Sequence, residues 1–452
     1  MKEILKYTEA NRQRFLDKLV EFLKFPSVSA DPAYKKDVFA CAQYLVKEFS
    51  GLGLATELIE TAGNPIVYAE YSRPENKRTL LIYGHYDVQP VDPLDLWQRP
   101  PFEPQIKGDK IYARGASDDK GQVLIHLAAV EAYLKTVGSL PVNLKFLIEG
   151  EEETAADNLE IFIKANHDKL KADGVVVSDT AMYGPDLPAL TYGLRGIAAT
   201  EFKVIGPDRD LHSGSFGGSV ANPVTELARI IARLHDENHH VAIDGFYADV
   251  RDIEDWEKRA FAELPFDEQN YLKSLGVGAP VGEQGFTTLE RKWARPTCEV
   301  NGIYGGYAGE GGKTIVPSWA GAKMTMRLVP DQDPTDILPK FEAFVRKVAS
   351  PGVKLEFNHA GGAKPAIVSR DSFLVQAGTR ALEQGFGRKP FFMREGGSIP
   401  IVNVFKEELG LDTLLLGFAQ NDCNAHSPNE TFVLSDFYRG IDTVVHLFEE
   451  LA

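Results

Sequence analysis

Short runs of continuous apolar residues punctuate the first part of the chain, separated by stretches in which apolar residues recur every three or four positions. Ile66–Tyr71, Thr79–Tyr83, Leu144–Ile148 and Gly174–Val177 are such runs, and Thr413–Leu416 is another near the end. Runs of this length without polar alternation predict strands buried on both faces. In Thr8–Lys24 the residues Phe15, Leu19, Phe22 and Leu23 share one helical face, and Pro26 stops that helix. Val38–Phe49 predicts a second helix, halted by Gly51 and Gly53. Gln122–Leu134 and Leu159–Ala165 predict helices between strands. Strands alternating with helices specify an α/β domain, here a mixed, mostly parallel sheet with helices on both faces.

The middle of the chain has another rhythm. Ile197–Val204 alternates like a half-exposed strand, and so does Lys323–Val329, with Met324, Met326 and Leu328 on one side and Thr325 and Arg327 on the other. Pro223–Leu234 and Ile337–Ala349 predict helices, Val353–Phe357 a short strand, and residues 252–293 a charged, irregular stretch of one helix and loops. This order predicts an inserted α+β domain with a one-sided sheet. The predicted layout is a discontinuous first domain, 1–194 and 369–452, interrupted by a second at 195–368.

Composition narrows the function classes. The 452 residues are 44% hydrophobic and 25% charged, the balance of a globular protein. Lys and Arg number 49 against 65 Asp and Glu, a net charge of −16. That balance argues against a nucleic-acid partner, which requires a basic footprint. Cys41, Cys298 and Cys423 are few, odd in number and far apart, so neither a disulfide framework nor a thiolate zinc site is expected. Met1–Ala10 is polar rather than signal-like, and no apolar run approaches a membrane span, so a cytoplasmic protein without a membrane partner is expected.

Acids and histidines gather just beyond the predicted strands. Gly84-His85-Tyr86-Asp87 follows one, Glu149-Gly150-Glu151-Glu152-Glu153 another, and Ser178-Asp179 a third. Asn424-Ala425-His426 follows Thr413–Leu416 after a loop, and Asp118-Asp119-Lys120-Gly121 opens a helix. Singly, each has a plain structural use, such as capping a helix or forming a solvated loop. In an open α/β sheet, however, the carboxyl ends of the strands line the ligand crevice. Imidazoles and carboxylates without thiolates suit zinc, manganese or cobalt. A pair of such ions can activate water and polarise a carbonyl, with a free carboxylate to take the proton. The run Gly305–Thr314 looks like a phosphate loop, but Tyr307 stands where its first glycine is required.

Four segments in order are the most specific: Gly84-His85-Tyr86-Asp87-Val88-Gln89-Pro90, Arg114-Gly115-Ala116-Ser117-Asp118-Asp119-Lys120-Gly121, Thr191-Tyr192-Gly193-Leu194-Arg195-Gly196, and Asp210-Leu211-His212-Ser213-Gly214. With Phe25–Ser29 and His426–Glu430 they make nearly the whole chain resemble the carnosinase and cytosolic non-specific dipeptidase branch of the dinuclear zinc metallopeptidases. Glutamate carboxypeptidases, succinyl-diaminopimelate desuccinylases and aminoacylases are more distant relatives. The resemblance implies two divalent ions, zinc first, with manganese or cobalt as alternatives. It implies that Asp118 bridges them, that His85 and Asp179 complete one site, and that Glu153 and His426 complete the other. Glu152 would be the general base and Asp87 would orient His85. A cis peptide is expected at Asp118–Asp119. The inserted domain would be a lid and dimerisation domain of a homodimer, with His212 reaching the partner's site to stabilise an oxyanion. Arg327 would hold the substrate carboxylate, helped by the Gly396-Gly397-Ser398 loop through Gly397 and Ser398.

Two departures stand out. Thr154-Ala155-Ala156 follows the twin glutamates where the family has Ser-Gly-Ser, and Asp422-Cys423-Asn424-Ala425 precedes His426 where glycine is usual. The implied activity is hydrolysis of dipeptides or short peptides. A deacylase of N-acyl or N-succinyl amino acids would use the same machinery, and a non-catalytic binding protein of the same fold is the third reading.

Overall fold

The computed structural model describes residues 1–76, 78–154 and 156–452. The chain divides into two compact units. One comprises Met1–Tyr192, Val368–Met393 and Val404–Ala452, and the other Gly193–Ile367 and Arg394–Asn403. The short segment Arg394–Asn403 therefore groups with the inserted residues, although its sequence position lies well beyond 368.

In the first unit the sheet order is Ala55–Ile59, Ile66–Tyr71, Asn143–Glu149, Thr79–His85, Gly174–Val177, Thr413–Leu415, Ala189–Leu194. The central four strands run parallel, and the flanking pairs are antiparallel. Leu80 to His85 and all of Gly174–Val177 are buried, which is why these strands read as unbroken apolar runs. From Thr79–His85 the chain passes through helix Lys120–Thr136 to the neighbour on one side. It then returns through helix Asn158–Ala165 to the neighbour on the other. Such a reversal leaves a crevice at the carboxyl ends of the strands.

Helix Lys120–Thr136 is buried around almost its whole circumference. It packs against Leu434–Glu450, Lys2–Ala10, Arg12–Leu23 and the central strand. The single N-terminal helix expected over Thr8–Lys24 is two helices, Lys2–Ala10 and Arg12–Leu23. Asn11 breaks it: its side-chain amide donates to the Tyr7 carbonyl at 2.8 Å, a local bond that competes with helix continuation. Among the described residues no helix is long and apolar enough to cross a membrane.

The second unit holds a four-stranded antiparallel sheet in the order Thr297–Gly305, Trp319–Leu328, Gly196–Ile205, Lys354–Ala363. Gly196–Ile205 alternates buried and half-buried positions along its length. Helices Pro223–Ile231 and Pro334–Val348 cover one face, with Phe202, Met324, Met326 and Phe341 in the core between. Both begin with proline after a side-chain cap, Asn222 and Asp333 respectively. Residues 252–293 are more ordered than expected: Asp255–Glu263, Glu268–Ser274 and Thr288–Trp293 are helices. Capping boxes at Glu254/Glu257 and Thr287/Glu290 start the first and last of them.

Candidate metal centre

His85 is the last residue of the central strand and is fully buried. Its neighbour Gly84 is required by close approach, because a Cβ there would lie 2.7 Å from Asp119 Oδ2. That oxygen instead accepts the His85 backbone amide at 3.2 Å. Asp118 and Asp119 precede helix Lys120–Thr136 and are joined by a cis peptide bond.

Asp118 shares its two carboxylate oxygens between two groups of potential ligands, His85–Asp118–Asp179 and Asp118–Glu153–His426. Its Oδ1 is 3.0 Å from His85 Nε2, and its Oδ2 is 2.9 Å from His426 Nε2. His426 Nε2 is 3.4 Å from Glu153 Oε2. Atoms that each lie ~2.0–2.2 Å from a shared ion sit at about these separations. All of these residues belong to the first unit.

The donor set fits cations. His85 Nδ1 faces the Asp87 carbonyl at 3.1 Å and Asp87 Oδ1 at 3.4 Å, which places its proton there. Nε2 is then left buried with no hydrogen-bond partner, aimed at a carboxylate oxygen. Two lone pairs in that arrangement repel unless a cation lies between them. Burial pushes Asp179 well up and raises Glu153 to about 8, with the Asp118 charge adding to both. Burial also opposes the Asp118 carboxylate, but positive charge on the His426 and His85 rings, when they are protonated in place of binding a cation, holds it below the usual carboxylate range. Acids packed this tightly need positive charge, and nitrogen and oxygen donors suit zinc, manganese or cobalt. Cys423 lies behind the site, but burial pushes its thiol up to about 11, so it offers no thiolate.

Glu152 lies beside these groups in a short turn, Glu152–Thr154. No hydrogen bond or ion pair to its carboxylate occurs among the described residues. Burial raises its pKa, with His85 opposing and Asp118 and Asp87 adding. Glu153, in contrast, is tied down: it accepts from the Gln89 amide at 2.7 Å, and its backbone amide donates to Asp87 Oδ2 at 3.2 Å. Ser29 donates to the same Asp87 oxygen at 2.6 Å. Of the segment that departs from the family after the twin glutamates, Thr154 donates to the Glu151 carbonyl at 3.0 Å, and Ala155 lies outside the described residues. Asn424, in the other departure, has φ +58°, a backbone shape that asparagine tolerates where glycine is usual.

Glu430 has a role that the sequence did not reveal. Fully buried, it accepts the backbone amides of Gly115 at 2.8 Å, Ser117 at 2.9 Å and Asp118 at 3.2 Å, and Arg114 Nη1 at 2.9 Å. One carboxylate thus clamps the loop that presents Asp118. The only signal for it was its place at the end of the His426–Glu430 run.

The remaining predicted residues lie in the second unit. His212 is exposed, and its Nδ1 accepts the Ser215 amide at 3.2 Å, which puts the proton of the neutral ring on Nε2. Arg327 Nη1 donates to Ser398 Oγ at 3.2 Å, and that hydroxyl donates to the Arg195 carbonyl at 2.7 Å. Gly397 beside them is exposed, and a Cβ there would meet nothing within 4 Å.

Comparison with known proteins accords with this chemistry. A model of peptidase family M20/M25/M40 matches residues 81–450. The chain is 34% identical to a Cys-Gly metallodipeptidase of Schizosaccharomyces pombe, across 98% of this chain and 97% of that protein. It is 28% identical to the human β-Ala-His dipeptidase, across 100% of this chain and 93% of that protein. The structure of a metallo-carboxypeptidase of the same family from Sulfolobus solfataricus matches with a TM-score of 0.86 at 37% identity, covering 97% of this chain and 99% of that one. The chain belongs to peptidase family M20/M25/M40, on its metallodipeptidase branch. It is an enzyme, a hydrolase that depends on divalent metal.

Proposed function

We propose that this enzyme cleaves the one peptide bond of a dipeptide with Glu152 as general base beside a pair of ions that share Asp118. The observation that carries the reading is the pair of ligand groups joined at Asp118, with an unpartnered glutamate next to them. His85 and Asp179 would hold one ion, Glu153 and His426 the other, with zinc the first candidate. When bound, the ions supply Lewis acidity that lowers the pKa of a water and polarises the scissile carbonyl.

Glu152 takes the proton as the water oxygen attacks the carbonyl carbon, and returns it to the amine as the C–N bond breaks. Burial favours this exchange, because a carboxylate with a raised pKa holds a proton long enough to pass it on. Asp87 fixes the His85 tautomer and, through the Glu153 amide, the turn that carries Glu152. Arg327 and the exposed Gly397 backbone offer donors to the free carboxylate of the substrate, with Ser398, whose own proton goes to the Arg195 carbonyl, orienting Arg327.

Cys-Gly and β-Ala-His, the dipeptides named for two relatives, are the first substrates to assay, beside N-acetylated dipeptides and an N-succinyl amino acid. Each is tested after chelation and after zinc or manganese is restored. Metal-dependent cleavage of the free dipeptides alone is the expected result. Cleavage of only the acylated compounds would make the enzyme a deacylase.

His212 has its Nε2 proton free to donate, which supports a role at the oxyanion in the site of a partner protomer. His212→Ala is expected to lose about 100-fold in kcat. Mixing it with an inactive Asp118→Ala chain is expected to restore part of the activity, since one hybrid site then has every residue. No recovery in mixed dimers removes the role in trans. Three buried, unpaired thiols suit a reducing compartment, and we assign the enzyme to the cytoplasm, which cell fractionation checks.

A further inference from the structure

The second unit contains a cavity of about 820 Å³. Its floor is the sheet face opposite helices Pro223–Ile231 and Pro334–Val348, where Thr325, Arg327 and Glu299 emerge, and its wall includes Arg195 and, from helix Thr288–Trp293, Arg291 and Lys292. The volume is that of a small-molecule site, far more than one carboxylate fills.

Its charge is out of keeping with the chain, whose net charge is −16. Arg295 also lines it but is neutralised by Glu283, which accepts two bonds at 2.7 and 2.6 Å. The other four cations have no ion pair among the described residues. Arg195 is spent on the carbonyls of Gly396 at 3.3 Å and Arg295 at 3.5 Å, and Arg291 on the Glu283 carbonyl at 2.8 Å. Among the described residues Arg327 bonds only Ser398. Lys292 holds its ammonium over the Tyr271 ring, 5.1 Å from the centroid. Against these four, Glu299 is the one other carboxylate among the described lining residues, and it acts on Arg195. Glu395 also acts on Lys292, but burial pushes that acid up to about 7, so it balances the charge only in part. Burial, with the nearby Arg327 adding and Glu299 opposing, lowers Arg195 to about 10.

We propose that this cavity is a subsite for a second anionic group, the side-chain carboxylate of an aspartate or glutamate at the C-terminal position of the substrate, with Lys292 as its main contact. The inference rests on the reading in which Arg327, oriented by Ser398, holds the main-chain carboxylate. One substrate anion accounts for Arg327 but leaves Lys292 and Arg291 unanswered. A dicarboxylic residue supplies the second charge from the same molecule. Lys292 is open to the cavity and free of any carboxylate bond, so it meets that charge without first breaking an ion pair.

The test compares Ala-Glu with its isostere Ala-Gln. The metal-loaded enzyme is expected to prefer Ala-Glu by about tenfold in kcat/KM, the lower end for a charge-assisted contact because Lys292 is open to water. Lys292→Met is expected to bring the ratio near one, Lys292→Arg to keep it, and Lys292→Glu to reverse it. Calorimetry on metal-loaded Glu152→Gln reads the same preference as binding, without turnover. If neither peptide is hydrolysed but Ala-Glu binds more tightly, the subsite stands and the dipeptidase reading falls. Equal kcat/KM in the wild type, or an unchanged ratio in Lys292→Met, overturns the subsite. Inorganic phosphate that speeds Ala-Gln turnover, with no preference for Ala-Glu, would assign the cations to a free anion and overturn it too.

Discussion

Glu152→Gln is expected to lower kcat at least ~10³-fold while both ions stay bound. The amide is nearly isosteric, so the turn Glu152–Thr154 and the packing around it are preserved. What disappears is a basic oxygen close to the cluster that has no hydrogen bond or ion pair among the described residues. Glu153 cannot replace it, because the Gln89 amide and His426 hold its carboxylate. The change acts on proton transfer rather than on substrate anchoring, the role we propose for Arg327 and Ser398. KM should therefore move much less than kcat. Metal content by elemental analysis separates this outcome from simple loss of the ions. A variant with near-native kcat and two ions would remove Glu152 as the base, and the twin glutamates would have to exchange roles.

Sequence alone does not separate the twin glutamates, and packing shows why. Two adjacent glutamates are equivalent in a one-dimensional pattern. Only the fold distinguishes them, by giving one a hydrogen-bonded tether and leaving the other unpartnered. The central strands were legible because burial on both faces forces unbroken apolar runs, and Gly174–Val177 begins and ends where the pattern placed it. The positions of His85 and Asp179 at or just beyond strand ends followed from the same logic. Features that depend on backbone groups were not legible. Glu430 serves amides of Gly115, Ser117 and Asp118, more than 300 residues earlier in the chain, and no periodicity encodes such a contact. The break at Asn11 depends on one local amide bond within an otherwise continuous apolar face. Arg394–Asn403 groups with the second unit through long-range contacts, including the Ser398 bonds to Arg327 and Arg195, that leave no trace in local composition.

Asp118→Ala is expected to abolish turnover and to leave at most one weakly held ion. The two ligand groups have only this residue in common, one oxygen to each. Its loss takes a donor from both sites at once, whereas loss of Asp179 or His426 takes a donor from one. The same reasoning predicts how stability depends on metal. Folding gathers Asp118, Glu152, Glu153 and Asp179 around two imidazoles, and burial disfavours the charge on each of these acids. Ions that bind only the folded chain offset that cost, by ~4 kcal/mol per site at a free concentration a thousand times Kd. For a unit of this size that corresponds to a fall in Tm on the order of 10 °C when a chelator is added. Asp118→Ala should melt at the same temperature with and without the chelator, because it has little bound metal to lose. Thermal melts of both proteins, with metal content measured alongside, provide the check. A variant that still held two ions, and still lost its Tm to chelation, would show that Asp118 does not join the two sites.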